Sequence, residues 1–176
     1  MTFAAAVASP SPSDTGAVNS TRFWLIVVAV TAFDFLTKAW AVEHLAPRHI
    51  PHNIVGDVLR FTLAYNPGAA FGMHLGPASR WIFAALSVVI IVVLLRSTAE
   101  LTRISKLAAL GVPIVIGGAV GNLLDRIRSR EGVVDFIDVG IGDVRFWTFN
   151  VADSAVTVGA VCLILALWSQ EREQTP

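Results

Sequence analysis

The chain has 176 residues, enough for one domain, and 55% of them are hydrophobic against 15% charged. Soluble domains carry about 25% charged residues, so a chain of mean hydropathy +0.66 is excluded as an ordinary soluble domain and takes a bilayer as its natural solvent. A formal net charge of zero gives no basis for a nucleic-acid partner, and the single cysteine, Cys162, excludes an intramolecular disulfide.

In chain order, residues 1–21 are rich in Ala, Ser and Pro with Asp14 as the lone charge, and are expected to form a disordered tail. They make a poor signal peptide, because no Lys or Arg precedes the first apolar run until Arg22. Four apolar runs follow, at about 23–42, 78–95, 107–124 and 151–168. Crossing a hydrocarbon core of about 30 Å takes roughly 17–25 helical residues, and each run fits once its flanks are included. The chain is therefore expected to be an α-helical membrane protein with four transmembrane helices, forming one domain over 22–170, with residues 171–176 as a C-terminal tail.

The connector 43–77 contains Val58-Leu59-Arg60-Phe61-Thr62-Leu63-Ala64-Tyr65, which partly alternates and predicts a strand. The connector after the third run contains 133–139 and 144–149, separated by Gly140 and Gly142, which predict a hairpin. The second and third runs are joined by a short basic turn with Arg96, Arg103 and Lys106. With both termini inside, the inner side holds five basic residues (Arg22, Arg96, Arg103, Lys106, Arg172). The outer side then holds seven (Arg48, Arg60, Arg80, Arg126, Arg128, Arg130, Arg145), so the positive-inside rule does not favour that orientation.

Topology alone groups the polar residues. Four spans bring the end of the first, the start of the second, the end of the third and the start of the fourth to one side. Asp34 and Lys38, Asn66, Asn122, Asp125 and Arg126, Asp135, and Asn150 and Asp153 all fall there. A charge inside a bilayer costs at least about 2.5–3.5 kcal/mol, so such charges are paired and functional as a rule. Asp34 and Lys38 share a helix face, as do Asn122, Asp125 and Arg126; structural ion pairs are the bland reading of both sets. Gly117 and Gly121 form a small-xxx-small pattern for close helix approach. Taken singly, Asp153 reads as a helix cap behind the N-cap Asn150, and Asp135 as a loop acid like Asp138 and Asp143. In combination, two carboxylates held close share a proton; the ionised one can draw a proton from water while the protonated one polarises a carbonyl. No metal or other cofactor is required. There is no H-E-x-x-H, the histidines His44, His49 and His52 sit beside prolines in a connector, and Ser154 lacks a base.

Five segments in order resemble the lipoprotein signal peptidases (signal peptidase II), bacterial aspartic membrane proteases. They are Asp34-Phe35-Leu36-Thr37-Lys38, Tyr65-Asn66-Pro67-Gly68-Ala69-Ala70-Phe71-Gly72, Gly117-Gly118-Ala119-Val120-Gly121-Asn122-Leu123-Leu124-Asp125-Arg126, Val133-Val134-Asp135-Phe136 and Phe149-Asn150-Val151-Ala152-Asp153-Ser154. The resemblance implies that Asp135 and Asp153 are the catalytic pair and that Asn66, Gly68, Asn122, Arg126, Asn150, Asp34, Lys38 and Asp125 support it, with Asn122 and Arg126 touching the substrate backbone. It implies a prolipoprotein substrate whose lipobox cysteine carries diacylglyceryl, cut just before that cysteine. Membrane lipids are expected as further partners, and the protein is expected to be a monomer. It also implies residence in the plasma (inner) membrane with both termini cytoplasmic, an extracytoplasmic active site that overrides the arginine count, and a small extracytoplasmic β-sheet and lid built from the two outer connectors. The residues alone leave two other readings open. A small proton- or ion-coupled transporter would carry acids near the bilayer midplane with access from both sides. A non-catalytic assembly protein would tolerate Asp→Asn at both 135 and 153.

Overall fold

The computed structural model describes residues 20–68 and 76–174; residues 1–19 of the expected tail and residues 69–75 of the first outer connector lie outside the described residues. Four helices carry the apolar runs: α1 (Ser20–His44), α2 (Ser79–Ile104), α3 (Lys106–Arg128) and α4 (Val151–Gln174). Each is long and apolar enough to cross a membrane; 23 residues at about 1.5 Å each reach roughly 35 Å. α1 already begins at Ser20, inside the expected tail. α4 continues through residues 171–174, where Arg172 lies over the Trp168 ring at 4.4 Å. The basic turn between the second and third runs is one residue: Ser105 is extended, with φ −163° and ψ 165°, and its hydroxyl accepts from the Ala108 N–H at 3.1 Å, capping α3. Arg96 and Arg103 therefore lie on α2 itself, in turns beyond its apolar run.

α3 is the central helix, with 61% of its apolar window buried against 6% for α2. Its glycines make that position possible. A Cβ at Gly117 would meet the Val30 side chain of α1 at 2.8 Å, and one at Gly118 would meet the Ala152 carbonyl oxygen of α4 at 2.5 Å. The expected close approach is thus seen on two faces of α3, toward α1 and toward α4, and Thr31 Oγ1 adds a hydrogen bond to the Gly117 oxygen at 3.0 Å.

A four-stranded antiparallel sheet, in the order β1 (His52–Val55), β2 (Leu59–Asn66), β3 (Val133–Ile141) and β4 (Val144–Arg145), caps one end of the bundle. β3 alternates between two environments. Val134 and Phe136 pack with Leu63 on Ala41 and Leu45 at the end of α1, while Val133 and Asp135 face the other way, into a cleft. Two expectations need correction. Asp138 is not a solvated loop acid: it is 8% exposed, because it sits on a central strand where Thr62 donates to it at 3.0 Å and Arg145 at 2.8 Å. The second arm of the hairpin is not a strand to 149 either. β4 ends at Arg145, and the chain rejoins β3 only through the Ile137–Phe149 bridge, since it must pass beside the cleft to enter α4.

Candidate active site

The sheet and the helix ends meet around a cleft of about 420 Å³ whose lining includes Asn66, Arg126, Asp135 and Asp153. Each reaches it for a local reason. Asn66 pairs with Val133 across the β2–β3 ladder, and Asp135 lies diagonally two residues on, within side-chain reach; Asn66 Nδ2 donates to Asp135 Oδ2 at 3.2 Å. Asp153 lies in the first turn of α4. There it forms a reciprocal cap with Asn150: the Asp153 N–H donates to Asn150 Oδ1 at 2.9 Å, and the Asn150 N–H donates to Asp153 Oδ2 at 3.2 Å. The helix-cap reading of Asp153 and its place in the cleft therefore hold together. Arg126, at the end of α3, lines the cleft and donates to the Gly68 carbonyl at 3.1 Å; the Gly68 N–H in turn donates to Asn66 Oδ1 at 3.0 Å. Residues 69–72 of the same motif lie outside the described residues.

Asn150 joins the two carboxylates. Its Nδ2 donates to Asp135 Oδ1 at 2.7 Å and to the Val134 oxygen at 3.2 Å, while its backbone N–H and side-chain oxygen hold Asp153. Asn122 stands behind Asp153, donating to its Oδ1 at 2.8 Å. The Asn122 oxygen accepts from Lys38 at 2.9 Å and from Asn150 at 3.2 Å. Asn122 was expected to touch a substrate backbone; its amide is instead occupied by these partners, and it is not among the cleft-lining residues.

A second layer holds the first. Lys38 Nζ lies 2.7 Å from Asp34 Oδ2 and 2.9 Å from Asp125 Oδ2, all three residues being about 1% exposed. Asp34 Oδ1 accepts from the Ala152 N–H at 2.8 Å, so a carboxylate of α1 sits on the positive end of α4. Gly121 gives it room, since a Cβ there would lie 2.5 Å from Asp34 Oδ2. Asp125 also accepts from Arg128 at 2.7 Å and from the Val134 N–H at 3.3 Å, tying α1, α3 and β3 together on the side away from the cleft. Asp34, Lys38 and Asp125 are thus an ion-paired scaffold, and the polar groups that open to the cleft are the other set.

Asp135 is 2% exposed. Burial, reinforced by the negative charge of Asp153, raises its carboxyl from the ordinary 3.8 to about 7, against the amides of Asn66 and Asn150 and the more distant Lys38. One carboxyl of the pair therefore keeps a proton near neutral pH. The cleft also has a wall that reasoning from the sequence missed: Phe146, Trp147, Thr148 and Phe149, facing Ser154, Thr157 and Val158 of α4. The available signals were the run of aromatics just before α4 and the four-residue step from Asp153 to Thr157, which shares its helix face.

Fold and cleft together define a multi-pass membrane protein with a carboxylate-lined cleft at one end of its helix bundle. The chain belongs to the signal peptidase II family: the family model described as Signal peptidase (SPase) II matches residues 26–169. It is 41% identical over 151 residues to the lipoprotein signal peptidase of Halothermothrix orenii, covering 85% of this chain and 97% of that one. It is 43% identical over 145 residues to the lipoprotein signal peptidase of Coxiella burnetii strain Dugway, covering 81% and 86%. A solved bacterial membrane enzyme superposes with a TM-score of 0.77 at 28% identity, covering 88% of this chain and 92% of the other. These relatives make the chain a signal peptidase and do not favour a transporter or a non-catalytic assembly protein.

Proposed function

We propose that this protein is an aspartic endopeptidase that removes signal peptides from diacylglyceryl-modified prolipoproteins, cutting just before the lipidated cysteine. The observation that carries the reading is one asparagine, Asn150, bonded to two carboxylates that face the same cleft; burial and the neighbouring charge push the carboxyl of one of them, Asp135, up to about 7. Asp153, whose two oxygens accept from Asn122 and from the Asn150 backbone, takes a proton from a water molecule. The oxygen of that water bonds to the scissile carbonyl carbon, and Asp135 gives its proton to the carbonyl oxygen. Asp153 then passes its proton to the amide nitrogen as the C–N bond breaks, and Asp135 recovers its own from the collapsing gem-diol. No metal enters the sequence. Arg126, buried beside the pair, is the cleft's cation for a substrate carbonyl.

The assay that tests the reading is cleavage of a purified lipid-modified prolipoprotein by the wild type and by Asp135→Asn and Asp153→Asn. A pH profile adds an independent check. The mechanism needs Asp135 protonated, so kcat should fall as pH rises through about 7; a rate still climbing above pH 8.5 would remove Asp135 as the proton donor.

The site is assigned to the extracytoplasmic face, with both termini cytoplasmic. The arginines that complicate the positive-inside count support this assignment, because the fold itself employs most of them. Arg48 pairs with Glu131, Arg60 with Asp57, Arg128 with Asp125 and Arg145 with Asp138, and Arg126 is buried in the cleft. A topology reporter inserted at Ser105 should read cytoplasmic; an extracytoplasmic signal there would reverse the assignment.

A further inference from the structure

Between Arg145 and Asn150 the chain leaves the sheet and forms an arch. The Phe146 N–H donates to the Val139 oxygen at 2.7 Å, and the next contact with β3 is at Phe149, whose N–H donates to the Ile137 oxygen at 3.0 Å and whose oxygen accepts from Phe136 and Ile137. Trp147 and Thr148 form the crown and line the cleft. One foot of the arch is Asn150, the residue that holds both carboxylates. The other is Arg145.

Arg145 is bonded far more heavily than a two-residue strand requires. Its Nε donates to Asp138 Oδ1 at 2.8 Å, one terminal nitrogen to the Asp138 backbone oxygen at 3.1 Å, and the other to the Asp57 backbone oxygen at 2.6 Å. Asp138 is held in turn by Thr62. The Asp57 carboxylate pairs with Arg60 and accepts from the Gly142 N–H at 2.6 Å. One guanidinium thus ties the β1–β2 turn, β3 and β4 into a knot, and Gly140 lets β4 come close enough, since a Cβ there would lie 2.7 Å from the Arg145 Cα. None of these knot residues lines the cleft. A short strand of this kind is marginal by itself, so the knot is what fixes this end of the arch.

The crown, by contrast, is left open. Trp147 is 58% exposed and Phe146 55%, with the Phe146 ring braced edge-on against Phe149 at 5.9 Å. Large aromatics held open beside convergent polar groups are the usual makings of a ligand site. We propose that Trp147 contacts an apolar side chain of the substrate next to the scissile bond, and that Arg145 is a positioning residue that sets the arch for that contact. The inference rests on the reading of this cleft as the peptidase site.

The test is steady-state cleavage of a lipid-modified prolipoprotein by the full chain in lipid, with KM and kcat measured for Trp147→Ala, Arg145→Ala and the double variant. Trp147→Ala should raise KM about tenfold with kcat within about twofold, the signature of lost binding rather than lost chemistry. Arg145→Ala should raise KM in the same way. The double variant should be no worse than Trp147→Ala, because Arg145 acts only through the arch. Asp138→Asn loosens the same knot without removing the arginine, and should also raise KM if Arg145→Ala fails to fold. An aromatic that merely anchors the chain at the membrane surface would leave KM unchanged. Unchanged KM in either single variant, a fall in kcat at constant KM, or effects that multiply would each overturn the inference. These outcomes are separate from the fate of the catalytic assignment, which is tested by cleavage with the Asp135→Asn and Asp153→Asn variants and by the pH profile.

Discussion

Replacing Asp153 with Asn is expected to lower kcat for prolipoprotein cleavage by at least about 10³-fold, and replacing Asp135 with Asn to do the same. The two act on one proton relay, so the double variant should be little worse than either single one. The stability of the two variants should differ from their activity in an informative way. Asp135 holds its proton more tightly in the fold than in the unfolded chain, its carboxyl being raised from 3.8 to about 7. Folding therefore takes up a proton between those values, and stability declines as pH rises through that window, levelling off above about 7. Asn at 135 removes this titration. The inactive Asp135→Asn variant should be more stable than the wild type above pH 7, by up to about 4 kcal/mol, and no different in this respect at pH 4. Thermal melts in detergent at the two pH values would measure it. Near-normal cleavage by either folded variant would end the assignment of this pair as the catalytic dyad.

The second large effect concerns Lys38, which never reaches the cleft. Its ammonium contacts Asp34, Asp125 and Asn122, spending all three of its donors. Lys38→Met would keep the bulk but leave Asp34 buried without its cation and Asp125 with Arg128 as its remaining one, a loss of about 3–5 kcal/mol. Activity should then fall because the enzyme unfolds, and protein that remains folded should cleave. Removing the carboxylates as well, in Lys38→Met with Asp34→Asn and Asp125→Asn, should recover much of the stability, because a neutral core no longer needs the ammonium. A Lys38→Met variant melting within about 1 kcal/mol of the wild type would show that water or another group compensates the acids, and would refute the scaffold role.

These two cases also mark how far the sequence could be read. The spans were legible because a bilayer tolerates only long apolar helices with their backbone bonded internally. The gathering of polar residues at one end followed from counting those spans, with no side-chain geometry needed. What a linear reading could not supply was which neighbour each polar group chooses. The i,i+4 pairing of Asp34 with Lys38 was visible, yet the contact between Lys38 and Asp125 joins two helices, and the bond from Asp34 to the Ala152 N–H depends on a helix crossing that Gly121 permits. Asp138 looked like a surface acid because its neighbours Asp143 and Gly142 have turn character; its burial comes from strand order, with β2 on one side and β4 on the other. β1 was not read at all, being four residues long and fully exposed in pattern, without the alternation that marks a half-buried strand. The arch at 146–149 resembled a strand because its residues favour one, and tertiary position overrode that preference.

Position 150 carries two jobs with one set of atoms, and this narrows which residues the site can accept. Ser, Thr and Asp start helices nearly as well as Asn, so the turn into α4 would survive any of them. None of the three brings an amide NH₂, the group with which Asn150 donates to both the Asp135 carboxylate and the Val134 oxygen. Asp would go further and add a third negative charge beside the pair. Gln has the amide but carries it one carbon too far to close the cap on Asp153. Drift at this residue is therefore checked from two directions at once. Ser, Thr or Asp would keep the start of the helix and lose the bridge between the carboxylates, and Gln would lose the cap, so of these residues Asn alone serves both.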